Sequence, residues 1–330
     1  MSWKKAAGSL GAATALWLAC TPAPAKADTP DEPCDRACLE GFAKAYLQAM
    51  IDNKPDQARL AGTVKYTENQ ELTEIGKGLW LHAERLGDYQ IYVADTRREQ
   101  VAYLGNIRTD KGWSMLAVRL RIQDGAISEV ETIVPGPAAG EGTFDLGAGA
   151  AALGKARPAF STALRPEEKR DRSQLIQAAD LHYEGIDRGN GDIVPFGENC
   201  IKVENGVQLI KNPDFPSPVR SPTGAKLPNY QAMGCQDQFN THVWDTDQVT
   251  DRRYPVVDEE RGIAVAFVMY HQYIKGPCAY VVDHGPACPG QAVEPYTLAA
   301  AEAFKVRAGF IEEVEAIFTV LPELRLRGLW

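Results

Sequence analysis

Apolar residues recur at helical spacing across residues 34–53, where Leu39, Phe42, Ala43, Tyr46, Leu47 and Met50 share one face. Asn53-Lys-Pro-Asp stops that run. The period then falls to two. Residues 89–95, 101–108, 114–123 and 126–134 read as antiparallel strands, with Asp124-Gly125 as a hairpin turn. Residues 66–70 read as a short strand or loop, and 79–86 as a short helix. The order then restarts. A second helix is expected from Asp171, carrying Leu175, Ala178, Ala179, Leu181 and Tyr183, and Asp187-Arg-Gly-Asn-Gly ends it. Residues 251–257 and 263–270 form a hairpin around Asp258-Glu-Glu-Arg-Gly262. The second of these runs is apolar on both faces, so it is expected to be central and covered twice.

The restart is a repeat. Residues 113–134 and 298–318 each alternate, turn at a glycine and alternate again through Ile-x-Glu-Val-Glu-x-Ile. Residues 64–69 answer 201–205, and both end in Glu-Asn. A unit this long is a duplicated domain. The paired Glu residues of both copies fall on one strand face, expected to meet solvent. Residues 135–170 are rich in Gly, Ala and Pro and read as a linker. Residues 211–234 carry five prolines, which disfavours regular strand. The expected organisation is a leader over 1–27, a first domain over 28–134, the linker over 135–170, and a second domain over 171–330. Disulfide-bearing insertions fall in the second domain.

Lys4 and Lys5, the apolar stretch 6–19 and Ala25-Lys-Ala27 have the layout of a cleaved export signal. The rival reading makes Cys20 a lipid-modified anchor. Without Cys20 the cysteines form an even set: Cys34, Cys38, Cys200, Cys235, Cys278 and Cys288. Export favours disulfides over zinc, because no finger spacing occurs. Six cysteines leave many pairings open, and local loop closure favours 34–38, 200–235 and 278–288. Removing the leader's three lysines takes the formal charge from −9 to −12. An acidic exported chain repels nucleic acid and anionic membranes. No segment is apolar enough for a membrane span. The expected assembly is a monomer acting as an internal pseudo-dimer, or a homo-oligomer.

Helix, short strand and long curved antiparallel sheet, twice over, make an α+β chain of two tandem cone-shaped domains. That order resembles the nuclear transport factor 2-like fold shared by ketosteroid isomerase, scytalone dehydratase and the SnoaL polyketide cyclases. Several strings also resemble a family of secreted fungal and bacterial proteins without a settled activity. They are Cys34-Asp-Arg-Ala-Cys38, Lys65-Tyr-Thr-Glu-Asn69, Gly78-Leu-Trp80, Gly234-Cys-Gln-Asp-Gln-Phe239, Arg252-Arg-Tyr-Pro-Val-Val-Asp-Glu-Glu-Arg-Gly262 and Phe304-Lys-Val-Arg307. The resemblance implies cones that hold small, largely apolar molecules, with acid/base chemistry in a minority.

No Gly-x-Ser-x-Gly elbow, His-Glu-x-x-His, phosphate loop or dinucleotide fingerprint is present, so no metal site and no cofactor are expected. His271 ends the buried strand beside Tyr270, where imidazole would shuttle protons; a lone strand-end His also serves as a rim residue. His182 and Tyr183 sit on the helix that would line the second cone. Asp251, Arg252 and Arg253 open a strand entering the core. Asp251 is an acid/base candidate, and an inward Arg would hold an anionic group. Tyr66, Glu68 and Trp80 are the matching candidates in the first cone, although Glu-Asn is equally a strand-end turn and Trp80 equally core. Trp113 and Tyr89 add aromatic surface. The carboxylates of 258–262 read as a solvated hairpin tip. These residues point to cofactor-independent lyase or isomerase chemistry on a small aromatic or cyclic compound. The alternatives are a non-catalytic binding protein and an envelope or assembly protein with filled cones.

Overall fold

The computed structural model describes residues 1, 33–136, 146–215, 219–220, 226–242, 246, 248–272, 279–281, 285–289, 296–321, 325 and 327–330. Residues 2–27 of the expected leader, the Cys20 anchor and Cys278 of the expected 278–288 disulfide lie outside that set.

In chain order the elements are α1 (Arg36–Ile51), β1 (Leu60–Glu68), β2 (Glu71–Leu72), β3 (Ala83–Asp95), β4 (Gln100–Thr109), β5 (Gly112–Gln123) and β6 (Ala126–Ile133). Next come α2 (Leu146–Ala152), α3 (Arg172–Arg188), β7 (Phe196–Glu204), β8 (Val207–Gln208), β9 (Val219–Arg220), α4 (Cys235–Asn240) and β10 (Gln248–Asp258). The chain closes with β11 (Ile263–Gln272), β12 (Ala279–Val281), β13 (Gly285–Pro289), β14 (Tyr296–Arg307) and β15 (Phe310–Val320).

Two six-stranded sheets share one topology. The first runs β2-β1-β6-β5-β4-β3 and the second β8-β7-β15-β14-β11-β10. Each is mixed: β1 lies parallel to β6 and β7 parallel to β15, with antiparallel pairs elsewhere. Each sheet packs against one long helix. This is the tandem α+β cone arrangement expected from the sequence, one helix on a six-stranded mixed sheet built twice. A small third sheet joins β12, β13 and β9.

Both long helices start alike. The Asp35 carboxylate accepts from Cys38 N at 2.8 Å and the Asp171 carboxylate from Gln174 N at 2.9 Å, so each Asp caps its helix. Glycine at position 189, with φ of 57°, ends α3. Both first strands end alike too. Asn69 and Asn205 take positive φ, and each side-chain amide clamps the backbone of the last strand, through Val134 and Phe318 respectively. The Glu-Asn repeat is thus a strand-end turn at its Asn. Disulfides join Cys34 to Cys38 and Cys200 to Cys235.

The backs of the two sheets share a core. Ile91, Val93 and Leu104 belong to the same buried cluster as Val265, Phe267 and Ala301. β11 is buried along its whole length, as its two apolar faces require.

Three sequence expectations are corrected. Residues 79–86 are not a helix: one 3-10 turn, Gly78–Leu81, leads straight into β3. The hairpin tip at 258–262 is not merely solvated. Asp258 is buried and pairs with Arg36 at 2.6 Å, while Glu259 accepts from Arg172 N at 3.0 Å. The Glu-Val-Glu face does not meet solvent either. Glu131, Glu313 and Glu315 are 0%, 4% and 2% exposed, because that face turns toward the other domain. Period-two alternation gives the face correctly, but burial depends on a partner sheet far away in sequence.

Candidate functional site

Strand pairing fixes which residues of the two cones correspond. Tyr66 lies opposite Val130 as Lys202 lies opposite Val314, and Glu68 and Glu204 follow two residues along. Counting from the helix caps, Tyr46 corresponds to His182 and Leu47 to Tyr183. Counting from the hairpin turns, Val118 corresponds to Glu302 and Ile107 to Tyr270.

The first cone is internally satisfied at these positions. The Tyr66 hydroxyl donates to Glu68 at 2.8 Å, as does Leu79 N at 2.8 Å. Trp80 Nε1 donates to the Tyr46 hydroxyl at 3.2 Å. All four aromatic and carboxyl groups have partners, and Tyr66 and Trp80 are core residues.

The second cone differs. Glu302 stands alone among alanines on β14 and points into the cone. One carboxylate oxygen accepts from the Tyr270 hydroxyl at 2.6 Å. The other has no hydrogen-bond partner among the described residues and lies 3.9 Å from His182 Nε2. Among the described residues both ring nitrogens of His182 lack partners, as does the Tyr183 hydroxyl, which is close enough to feel the Glu302 charge without a well-formed hydrogen bond. Unpaired buried polar atoms are costly, and four of them meet here among the described residues. Around them stand rings of Tyr183, Phe196, Phe239 and Phe304, with centroids 5.0–5.9 Å from that of His182. Lys202 is buried beside them and pairs with Glu204 at 2.7 Å.

Burial governs the protonation of this cluster. It pushes the Glu302 carboxyl up, against the opposing pull of Lys202 and Tyr270. It pushes His182 well down, with Lys202 adding to the effect, so the imidazole is neutral near pH 7. Burial also raises Tyr183 and Tyr270, reinforced by Glu302.

The remaining candidates lie elsewhere. Arg252 sits above the Tyr183 ring, with its guanidinium carbon 5.7 Å from the centroid, but its nitrogens are held by Glu184 at 2.8 Å and by Asp187. It is already neutralised and so is not an open anion receptor. Arg253 turns to the opposite face and meets Glu131 of the first domain at 2.5 Å. His271 also faces away from Tyr270, as strand alternation dictates, and its Nε2 lies 2.7 Å from the Thr250 hydroxyl. Asp251 accepts from Gly328 N at 2.7 Å. Of the sequence candidates, His182, Tyr183 and Tyr270 converge. Glu302 and Lys202 were missed, although one acid inside Leu298-Ala-Ala-Ala-Glu-Ala-Phe304 is a readable signal of a buried carboxyl. Among the described residues no group of His, Cys, Asp and Glu has the makings of a metal site.

A family model described as "Domain of unknown function (DUF8021)" matches residues 168–318, which contain this cluster. No curated protein matches the chain. Similar solved structures include an NTF2-like protein of unknown function from Cytophaga hutchinsonii ATCC 33406, with 9% identity over 30% of this chain and 90% of that one, TM-score 0.25. A candidate ketosteroid isomerase from Kribbella flavida DSM 17836 has 21% identity over 32% and 82%, TM-score 0.23. AusH from Aspergillus nidulans has 13% identity over 39% and 99%, TM-score 0.28. None of these likenesses transfers an activity or a ligand to this chain.

Proposed function

We propose that the second cone takes up a small, uncharged cyclic molecule and moves a proton on it without a cofactor, as an isomerase or lyase does. One observation carries the reading. The acid, the imidazole and the two hydroxyls meet only in the second cone, where the first has Val118, Tyr46, Leu47 and Ile107. In this reading Glu302 takes a proton from a C–H bond next to a carbonyl. The electron pair moves toward the carbonyl oxygen, and the proton is returned at another carbon. A carboxyl raised toward the working pH both accepts and returns a proton readily. Neutral His182 and the Tyr183 hydroxyl supply hydrogen bonds to the oxygen as charge builds on it. Tyr270 holds the carboxyl in place. The aromatic walls suit a ring-shaped ligand, and the neutralised Arg252 argues against an anionic one.

The two disulfides support an exported location, with residues 1–27 removed as a leader. Among the described residues no helix is long and apolar enough to cross a membrane.

The test is mass spectrometry of a metabolite extract incubated with the oxidised protein. Depletion of one compound far beyond the molar amount of protein, with a matching product, supports catalysis. Uptake limited to stoichiometry, with the compound recovered unchanged, replaces catalysis with binding. No uptake of any compound rejects both.

A further inference from the structure

The two strand-end turns differ at one position. Asn205 is followed by Gly206 at φ of 85°, which glycine adopts freely, whereas Asn69 is followed by Gln70 at φ of 63°. A side chain strains the backbone there. Gln70 is buried all the same, and both its polar ends are held by residues that follow the second sheet. Leu329 N donates to Gln70 Oε1 at 3.1 Å, and Arg325 Nη1 donates to the Gln70 carbonyl at 2.5 Å.

Residues 325 and 327–330 grip both domains. In the second, Gly328 N donates to Asp251 at 2.7 Å and Arg325 N to the Thr297 hydroxyl at 3.3 Å. Asp251 is itself left-handed, with φ of 50°, where β10 shifts register against β11. In the first domain, Lys65 Nζ donates to the Leu329 carbonyl at 2.7 Å, and Trp330 Nε1 donates to the Thr67 hydroxyl at 2.9 Å. The Trp330 ring also meets two cations, with Lys65 Nζ 3.7 Å and the Arg119 guanidinium carbon 4.4 Å from its centroid. Lys65 and Thr67 alternate with Tyr66 and Glu68 along β1, so this contact lies on the outer face of the first sheet, away from its cone.

We infer that residues 325 and 327–330 form a strap between the domains, received by one left-handed residue in each, Gln70 and Asp251. The strap holds the first strand-end turn in the shape that Gly206 gives the second turn unaided. Among the described residues no hydrogen bond joins Trp330 to Gln70. Any coupling between them therefore runs through the strap as a unit.

The test combines hydrogen exchange and urea unfolding of the full, disulfide-intact chain, for the wild type, Trp330→Ala, Gln70→Gly and the double variant. The Asn69 and Thr73 amides bond the Thr132 and Tyr66 carbonyls, as Asn205 and Leu209 bond Ala316 and Lys202 in the second domain. Trp330→Ala should speed exchange at Asn69 and Thr73 by at least about fivefold and leave Asn205 and Leu209 unchanged. With the strap docked, Gln70→Gly loses the bond from Leu329. With the strap released, that loss is already made and glycine only relieves the turn. Gln70→Gly should therefore be more favourable in the Trp330→Ala background, by at least about fivefold in the unfolding constant. Trp330→Phe keeps the ring over the cations and loses the Thr67 bond, so it should give smaller changes of the same sign, and it serves if Trp330→Ala does not fold. Equal effects of Gln70→Gly in both backgrounds would overturn the strap. So would exchange that is unchanged at Asn69, or that rises alike at Asn69 and Asn205.

Discussion

Arg253 of the second sheet and Glu131 of the first meet at 2.5 Å, and this contact explains why neither residue faces a cone. Glu131 also holds Arg119 at 3.0 Å, so one buried carboxylate ties a strand neighbour to the other domain. A second exchange lies at the helix starts. Asp95 of the first domain holds Arg172 of the second at 2.6 Å, and Asp258 of the second holds Arg36 of the first at 2.6 Å. Each domain thus closes on the helix start of the other, and the shared apolar core lies between.

Removing the Glu131 carboxylate takes one partner from buried Arg119, which keeps Glu129 and Gln100 at 2.8 Å each. Glu131→Ala is expected to destabilise the fold by about 1–3 kcal/mol, measured by urea unfolding. Arg253→Gln should cost less, because Arg253 is partly exposed and Arg119 still pairs with Glu131.

His182 makes acid stability pH-dependent. Its pKa is pushed well below 6.5 in the fold by burial, so below pH 6.5 the unfolded chain binds a proton that the native chain does not. Stability due to this group is full above the unfolded value and falls as pH drops through it. His182→Phe should remove that part of the slope below about pH 6.5. Equal slopes for wild type and variant would show that His182 takes up its proton in the fold.

The two disulfides are unequal. Cys200–Cys235 closes a loop with a sequence separation of 35, and Cys34–Cys38 one of 4. Chain entropy assigns about 3–4 kcal/mol to the longer and about 2 kcal/mol to the shorter. Paired Cys→Ala variants, compared by thermal unfolding, should lose stability in that order.

Gly78 lies at φ of 58°, and a Cβ there would stand 2.6 Å from a Glu68 carboxylate oxygen. Gly78→Ala is expected to cost more than about 1 kcal/mol, since it also displaces the carboxylate that receives Tyr66 and Leu79. The change should appear in unfolding curves and spare the chemistry of the second cone.

The duplication, both long helices and β11 were legible, because each depends on local period and on repetition within the chain. Asn69 and Asn205 were legible as turns for the same reason. What was not legible depends on pairs remote in sequence. Nothing near Glu131 or Glu315 shows that the other sheet covers them. His271 and Tyr270 are adjacent in sequence, but alternation sends them to opposite sides of the sheet. The Asp-Arg pairs at 35–36 and 171–172 were visible, yet the acids that receive Arg36 and Arg172 lie in the other copy. Glu302 was readable as a lone acid among alanines, and its meeting with His182 required the fold.

The most direct measurement is turnover, by the wild type, Glu302→Gln and Glu68→Gln, of whatever compound the oxidised protein consumes. If the second cone carries proton transfer, Glu302→Gln should lose at least about 100-fold in kcat, the scale of a general base, while Glu68→Gln keeps it. Full activity in a folded Glu302→Gln, or loss confined to Glu68→Gln, would contradict the assignment of the chemistry to the second cone.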